Sequence, residues 1–196
     1  RSVVLGRTAL LLIAVLVAVL VGMVVWLAAG ATRPEDGTPA QGLRVGALAP
    51  DFEMEDVNTG EVVRLSALRG RPVWINFWAT WCPPCKAELP VMKEKYDKYR
   101  GEGLAIVGIN MREDPDDVRA FIRGNGFDWI FVVDRDGAVT NRYLTSGIPT
   151  HIFVDADGVI QAIHVGELNE GVMEELLGKI MGGLSAPGRV AASAAR

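Results

Sequence analysis

Cysteine and histidine are almost missing from this chain, with two of each among 196 residues. So small a supply excludes a structural disulfide framework, and it leaves a zinc site short of ligands. Only His151 and His164 are available to complete one, and their separation is far wider than that of paired histidine ligands. An excess of basic residues is also lacking. Twenty Lys and Arg face 24 Asp and Glu, for a formal charge of −4. That balance argues against a nucleic-acid partner, which calls for a basic patch. The acidic residues are scattered, as on any solvated surface. There is no internal repeat, and no Met- or His-rich cluster accompanies the cysteines. No cysteine follows the N-terminal apolar run, which excludes lipoprotein anchoring through one.

What is present is concentrated. Both cysteines lie in Phe77-Trp78-Ala79-Thr80-Trp81-Cys82-Pro83-Pro84-Cys85-Lys86-Ala87-Glu88, at the end of a strand-like run and the start of a helix-like one. A helix N-terminus offers free N–H donors and roughly half a positive charge, which stabilise a thiolate, the reactive form of cysteine. Cys85, one turn in, is near enough to close a disulfide onto Cys82. The pair reads as a redox switch. A purely structural bridge over so short a loop would stabilise little, because closing it removes little unfolded-state entropy. The remaining alternative is a copper-binding assembly factor using the same two sulfurs, since thiolates suit copper(I).

Residues 8–32 carry no charge and are flanked by Arg7 and Arg33. Spanning the hydrocarbon of a bilayer takes roughly 20 helical residues, so the run is long enough for a transmembrane signal-anchor. Ala29-Gly30-Ala31 offers a competing cleavage site; the uncleaved anchor is the preferred reading. Residues 1–7 form its N-terminal flank. Residues 33–42 are rich in Pro, Gly and acid and read as a flexible tether, residues 43–184 as one folded domain, and residues 185–196 as a disordered tail. Lys and Arg are nearly balanced on the two sides of the run, so the extracytoplasmic placement rests on likeness to a signal-anchor.

Within the domain, the pattern predicts strands near 51–55 and 61–65 around Asn58-Thr59-Gly60, and a buried strand over 72–78. A helix follows over 83–100, with Leu89, Met92, Tyr96 and Tyr99 on one face and a kink at Pro90. A strand over 104–110 leads to a helix capped by Asp114 with Pro115 in its first position. A short strand at 131–133, a short helix at 139–143, a hairpin of 150–154 with 159–165, and a terminal amphipathic helix complete the pattern. The expected class is α/β, with a mixed sheet flanked by helices.

Ala49-Pro50-Asp51-Phe52, Leu65-Ser66-Ala67-Leu68-Arg69-Gly70, the cysteine segment, Glu88-Leu89-Pro90 and Gly147-Ile148-Pro149-Thr150 together resemble the membrane-anchored thioredoxin-like proteins of the TlpA/ResA/CcmG type. The resemblance implies a thioredoxin-like fold over residues 43–184 and thiol–disulfide oxidoreductase activity without a bound cofactor. It makes Cys82 the nucleophile and Cys85 the resolving thiol of a redox-active disulfide. It makes Pro149 a cis-proline that holds the Ile148 backbone out for strand-like pairing with a substrate. Trp81, Pro83 and Pro84 become the substrate rim, and Glu88 a carboxylate that tunes the thiols, its alternative being a solvated helix residue. Asn76 departs from thioredoxin itself, where an acid stands, which strengthens Glu88 in that role. The implied partners are client proteins with a disulfide or CxxC, such as apocytochrome c or copper-site proteins, and a membrane thiol-electron carrier as reductant. Neither His151 nor His164 receives a catalytic task; His164 is expected on a strand surface. A thiol peroxidase would need threonine three residues before the reactive cysteine, where Ala79 stands.

Overall fold

The computed structural model describes residues 12, 16, 17, 19–23, 43–143 and 145–182. The chain divides into two units, residues 1–41 and 42–196. In the first, the described residues are helical, and among all described residues no helix is long and apolar enough to cross a membrane. The expected flank (1–7), the tether (33–42), the tail (185–196) and most of the anchor (8–32) lie outside the described residues.

The second unit is built on strands β3 (Val73–Trp78), β4 (Ala105–Met111), β5 (Ile130–Asp134), β6 (Thr150–Val154) and β7 (Ile160–Val165). They form one sheet in the order β5-β4-β3-β6-β7. β3 runs parallel to β4 and β4 to β5, whereas β6 is antiparallel to both β3 and β7. A separate antiparallel pair, β1 (Glu53–Glu55) and β2 (Val62–Arg64), precedes them. The helices are α1 (Pro83–Tyr99), α2 (Pro115–Gly124), α3 (Ala138–Arg142) and α4 (Glu170–Met181). All the predicted strands and helices are present, and 3-10 turns at Leu65–Leu68 and Arg100–Glu102 add to them.

β3 is buried along its whole length, as a central strand covered on both faces must be. Its residues alternate between two cores. Trp74 and Trp78 join Leu89 and Met92 of α1, Val118 and Ile122 of α2 and Met173 and Leu177 of α4. Val73, Ile75 and Phe77 join Val139, Tyr143, Phe52 and Leu65 on the opposite face. Gly108, opposite Asn76 on β4, lets the large rings meet: a Cβ there would lie 2.7 Å from the Phe131 ring and 3.2 Å from Trp78 Nε1.

Helix ends are closed by side chains. Asp114 accepts from Asp116 N–H at 2.9 Å and Asn169 from Val172 N–H at 3.0 Å, each satisfying an orphan donor. α3 has no side-chain cap at its own N-cap Gly137. There the buried Asp134 carboxylate takes the N–H groups of Val139 and Thr140, at 3.2 and 2.7 Å. α1 and α4 are clasped by Glu174, which receives Lys98 Nζ at 2.7 Å, the Tyr99 hydroxyl, and Lys95 Nζ as an ion pair at 2.9 Å. Lys98, then Tyr99 and Lys95, hold the Glu174 carboxyl down to about 2.

Candidate active site

Cys82 is the N-cap of α1. Its backbone is extended, with φ −87° and ψ 107°, and its sulfur accepts the Cys85 N–H at 3.3 Å. The sequence dictates this local form. Pro83 has no N–H to waste in the first turn, and its fixed φ suits helix entry. Cys82 and Cys85 are joined as a disulfide with Cα atoms 5.3 Å apart. Both residues are covered, Cys82 exposing 3% and Cys85 none. Trp81 is exposed at 64%, with Pro83 exposed and Pro84 half-buried beside it. The Ile148–Pro149 bond is cis. Pro149 is buried, and Ile148 packs against the core that contains both cysteines.

Glu88 is buried at 2%, which sets aside the solvated reading. Its Oε1 accepts from Asn76 Nδ2 at 3.3 Å and its Oε2 from Leu168 N–H at 3.2 Å. Strand pairing supplies the rest of its surroundings. Asn76 on β3 stands opposite His151 on β6, which stands opposite His164 on β7, and residues opposite one another share a face of the sheet. That face looks toward α1. His151 is therefore wholly buried, its Nε2 3.2 Å from Glu88 Oε2 and its Nδ1 3.2 Å from Trp74 Nε1. His164 is half-buried, its ring centroid 6.2 Å from that of His151.

Sequence reasoning missed two groups here. His151 has the same strand parity as Phe153, an available signal, but meeting Glu88 depends on register with β3. The second group is Glu113 with Asn110. Glu113 Oε2 accepts Thr80 N–H at 2.7 Å and Asn110 Nδ2 at 2.6 Å, and the Thr80 hydroxyl bonds its other oxygen. It thereby fixes the backbone two residues before Cys82. Arg112, the one described non-glycine residue with positive φ (63°), turns the chain there. The usable signal was that β3 and β4 are parallel neighbours, so the segments after them emerge at the same end of the sheet.

A groove of about 610 Å³ lies elsewhere. It is lined by Phe52, Met54, Val57, Pro115, Arg119 and Arg142 among others, and neither cysteine borders it. The exposed surface beside the cysteines is formed instead by Trp81 and Pro83.

A helix-capping CxxC on this sheet, with a cis-proline before β6, defines a thioredoxin-like thiol–disulfide oxidoreductase. The chain belongs to the AhpC/TSA family, whose model matches residues 45–163, and within it to the relatives of thiol-disulfide oxidoreductase ResA. It is 36% identical to ResA of Geobacillus kaustophilus over 143 residues, covering 73% of this chain and 82% of that protein. ResA of Bacillus subtilis is 34% identical over 138 residues, covering 70% and 76%. A crystal structure from Chlorobium tepidum, described as a DsbE thiol:disulfide interchange protein, superposes with a TM-score of 0.67 at 31% identity, covering 74% of this chain and all of that one.

Proposed function

We propose that this protein is a membrane-anchored reductant of specific extracytoplasmic disulfides. Residues 8–32 hold it to the cell membrane as a single span, and a domain of about residues 43–184 works on the outer side. The observation that supports its thiol chemistry most is Cys82 at the N-cap of α1, where the Cys85 N–H, the donor left in the first turn after Pro83 and Pro84, meets its sulfur and favours its thiolate.

In the proposed cycle the Cys82 thiolate attacks a client disulfide. The Cys82–client bond forms, the client S–S bond breaks, and the departing client thiolate takes a proton from solvent. The Cys85 thiol passes its proton to Glu88, one turn along the same helix. Its thiolate then attacks Cys82 Sγ, closing the Cys82–Cys85 disulfide and breaking the Cys82–client bond. The second client sulfur leaves as a thiolate and takes up a proton from solvent, to which Glu88 gives up the one it accepted. Two electrons have moved to the client, and a membrane thiol carrier returns them. Trp81, Pro83 and Pro84 form the docking rim, and the Ile148 backbone beside Pro149 pairs with the client strand. Clients of the apocytochrome c or copper-site kind fit a tethered reductant, whose reach is confined to proteins at the bilayer.

Purifying the mixed disulfides held by a Cys85→Ala chain tests the reading: discrete clients bound through Cys82 are expected. Equilibration with glutathione buffers tests direction, and a potential near about −120 mV, the strong-oxidant end, would overturn the reductant assignment. Copper(I) competition beside insulin reduction separates the copper-binding alternative. Tight copper binding without insulin reduction would favour it.

A further inference from the structure

The buried histidine beside the redox helix has no place in the cycle above, and its surroundings are specific. The Nδ1 atom of His151 faces two N–H donors, Trp74 Nε1 at 3.2 Å and Asn76 Nδ2 at 3.3 Å. A ring nitrogen so placed must be the acceptor, so the ring's proton lies on Nε2. Nε2 is 3.2 Å from Glu88 Oε2, with its N–H off the direct line to that oxygen. The ring is fully buried, and it packs on Trp74 at a centroid separation of 5.8 Å.

We propose that His151 is a positioning residue for Glu88: Trp74 fixes its Nε2–H tautomer, and that N–H holds the Glu88 carboxylate from the β6 side. Asn76 and the Leu168 N–H hold it from β3 and from the loop before α4. Two N–H donors thus bond the carboxylate that accepts the proton of Cys85, and the His151 N–H lies beside it. The titratable groups facing His151 are Glu88 from α1 and His164 from β7; β3 contributes the neutral Trp74 and Asn76. The inference rests on the reading of Glu88 as proton acceptor for Cys85.

The test is the rate at which Cys85 resolves a Cys82–glutathione mixed disulfide in the full chain, followed between about pH 5 and 9, a range that brackets the histidine and thiol titrations. Losing the His151 N–H beside the Glu88 carboxylate slows resolution in His151→Val about tenfold at the acid end relative to the alkaline end. His151→Gln, whose amide N–H reaches toward the Nε2 position, restores most of the loss. A His151→Val profile that superimposes on the parent, while that of Glu88→Gln is displaced, overturns the role of His151 alone. If Glu88→Gln also superimposes on the parent, the reading of Glu88 fails and this inference with it. A readout independent of variant folding is the ring ¹⁵N spectrum of His151 in the parent chain. A proton on Nε2 and a bare Nδ1 are expected, and a proton on Nδ1 overturns the proposal.

Discussion

Replacing Glu88 by Gln puts a donor among donors. The carboxylate receives Asn76 Nδ2 at Oε1 and Leu168 N–H at Oε2, and His151 Nε2 approaches Oε2. A glutamine offers one oxygen and one NH₂. Whichever way the amide turns, an N–H group faces another N–H group in a site only 2% exposed. A buried donor left unpaired costs about 1–3 kcal/mol. Thermal unfolding of the oxidised chain should therefore fall by about 2–4 °C for each kcal/mol lost. The functional consequence has the opposite sense. Removing a negative charge near the thiols favours the thiolate, so alkylation of the reduced chain should persist to lower pH in the variant. The assays are calorimetry of the oxidised form and iodoacetamide alkylation rates of the reduced form across pH. A variant as stable as the parent, with superimposable pH–rate curves, would refute the reasoning and leave Glu88 neither a structural nor a thiol-tuning role.

Glu174, held down to about 2 by Lys98, Tyr99 and Lys95, contributes stability that is present above its unfolded value of about 4.5 and is lost as pH falls toward 2. Because its side chain is 39% exposed, solvent screening limits that contribution to about 1 kcal/mol or less, and acid titration of Glu174→Gln should lack this part of the slope; identical acid-unfolding curves would contradict it. Gly108→Ala forces a Cβ to within 2.7 Å of the Phe131 ring and should cost about 1–3 kcal/mol in denaturant unfolding, as overpacking does. Asp134→Ala strips the Val139 and Thr140 N–H groups of their acceptor at the start of α3, with an expected loss of about 1–2 kcal/mol by the same measurement. An unchanged midpoint in either variant would show that the contact is dispensable.

The local elements were legible because each is written in neighbouring residues. Pro83 after Cys82 marks the start of α1, Asp114-Pro115 the start of α2, and Asp155-Ala156-Asp157-Gly158 the turn between β6 and β7. The redox pair was legible for the same reason. What was not legible depends on partners far apart in the chain. The environment of His151 follows from pairing Asn76 with a residue 75 positions away, and strand periodicity alone cannot choose that register. Glu88 adjoins Leu89 on the side of α1 that faces the sheet, but a carboxylate at such a margin reads equally well as solvated. Only the Asn76 and Leu168 donors, brought in by β3 and the chain before α4, account for its burial. Glu113 was overlooked because it acts through the Thr80 backbone, a contact that no motif spells out.

The central claim is that Cys82, not Cys85, makes and breaks the bond to the client. Its most direct test is brief alkylation of the fully reduced chain near neutral pH, followed by peptide mapping of the label. The N-cap position of Cys82 and its neighbouring exposed Trp81 predict label on Cys82 first, with Cys85 modified only slowly. Preferential labelling of Cys85 would contradict the account.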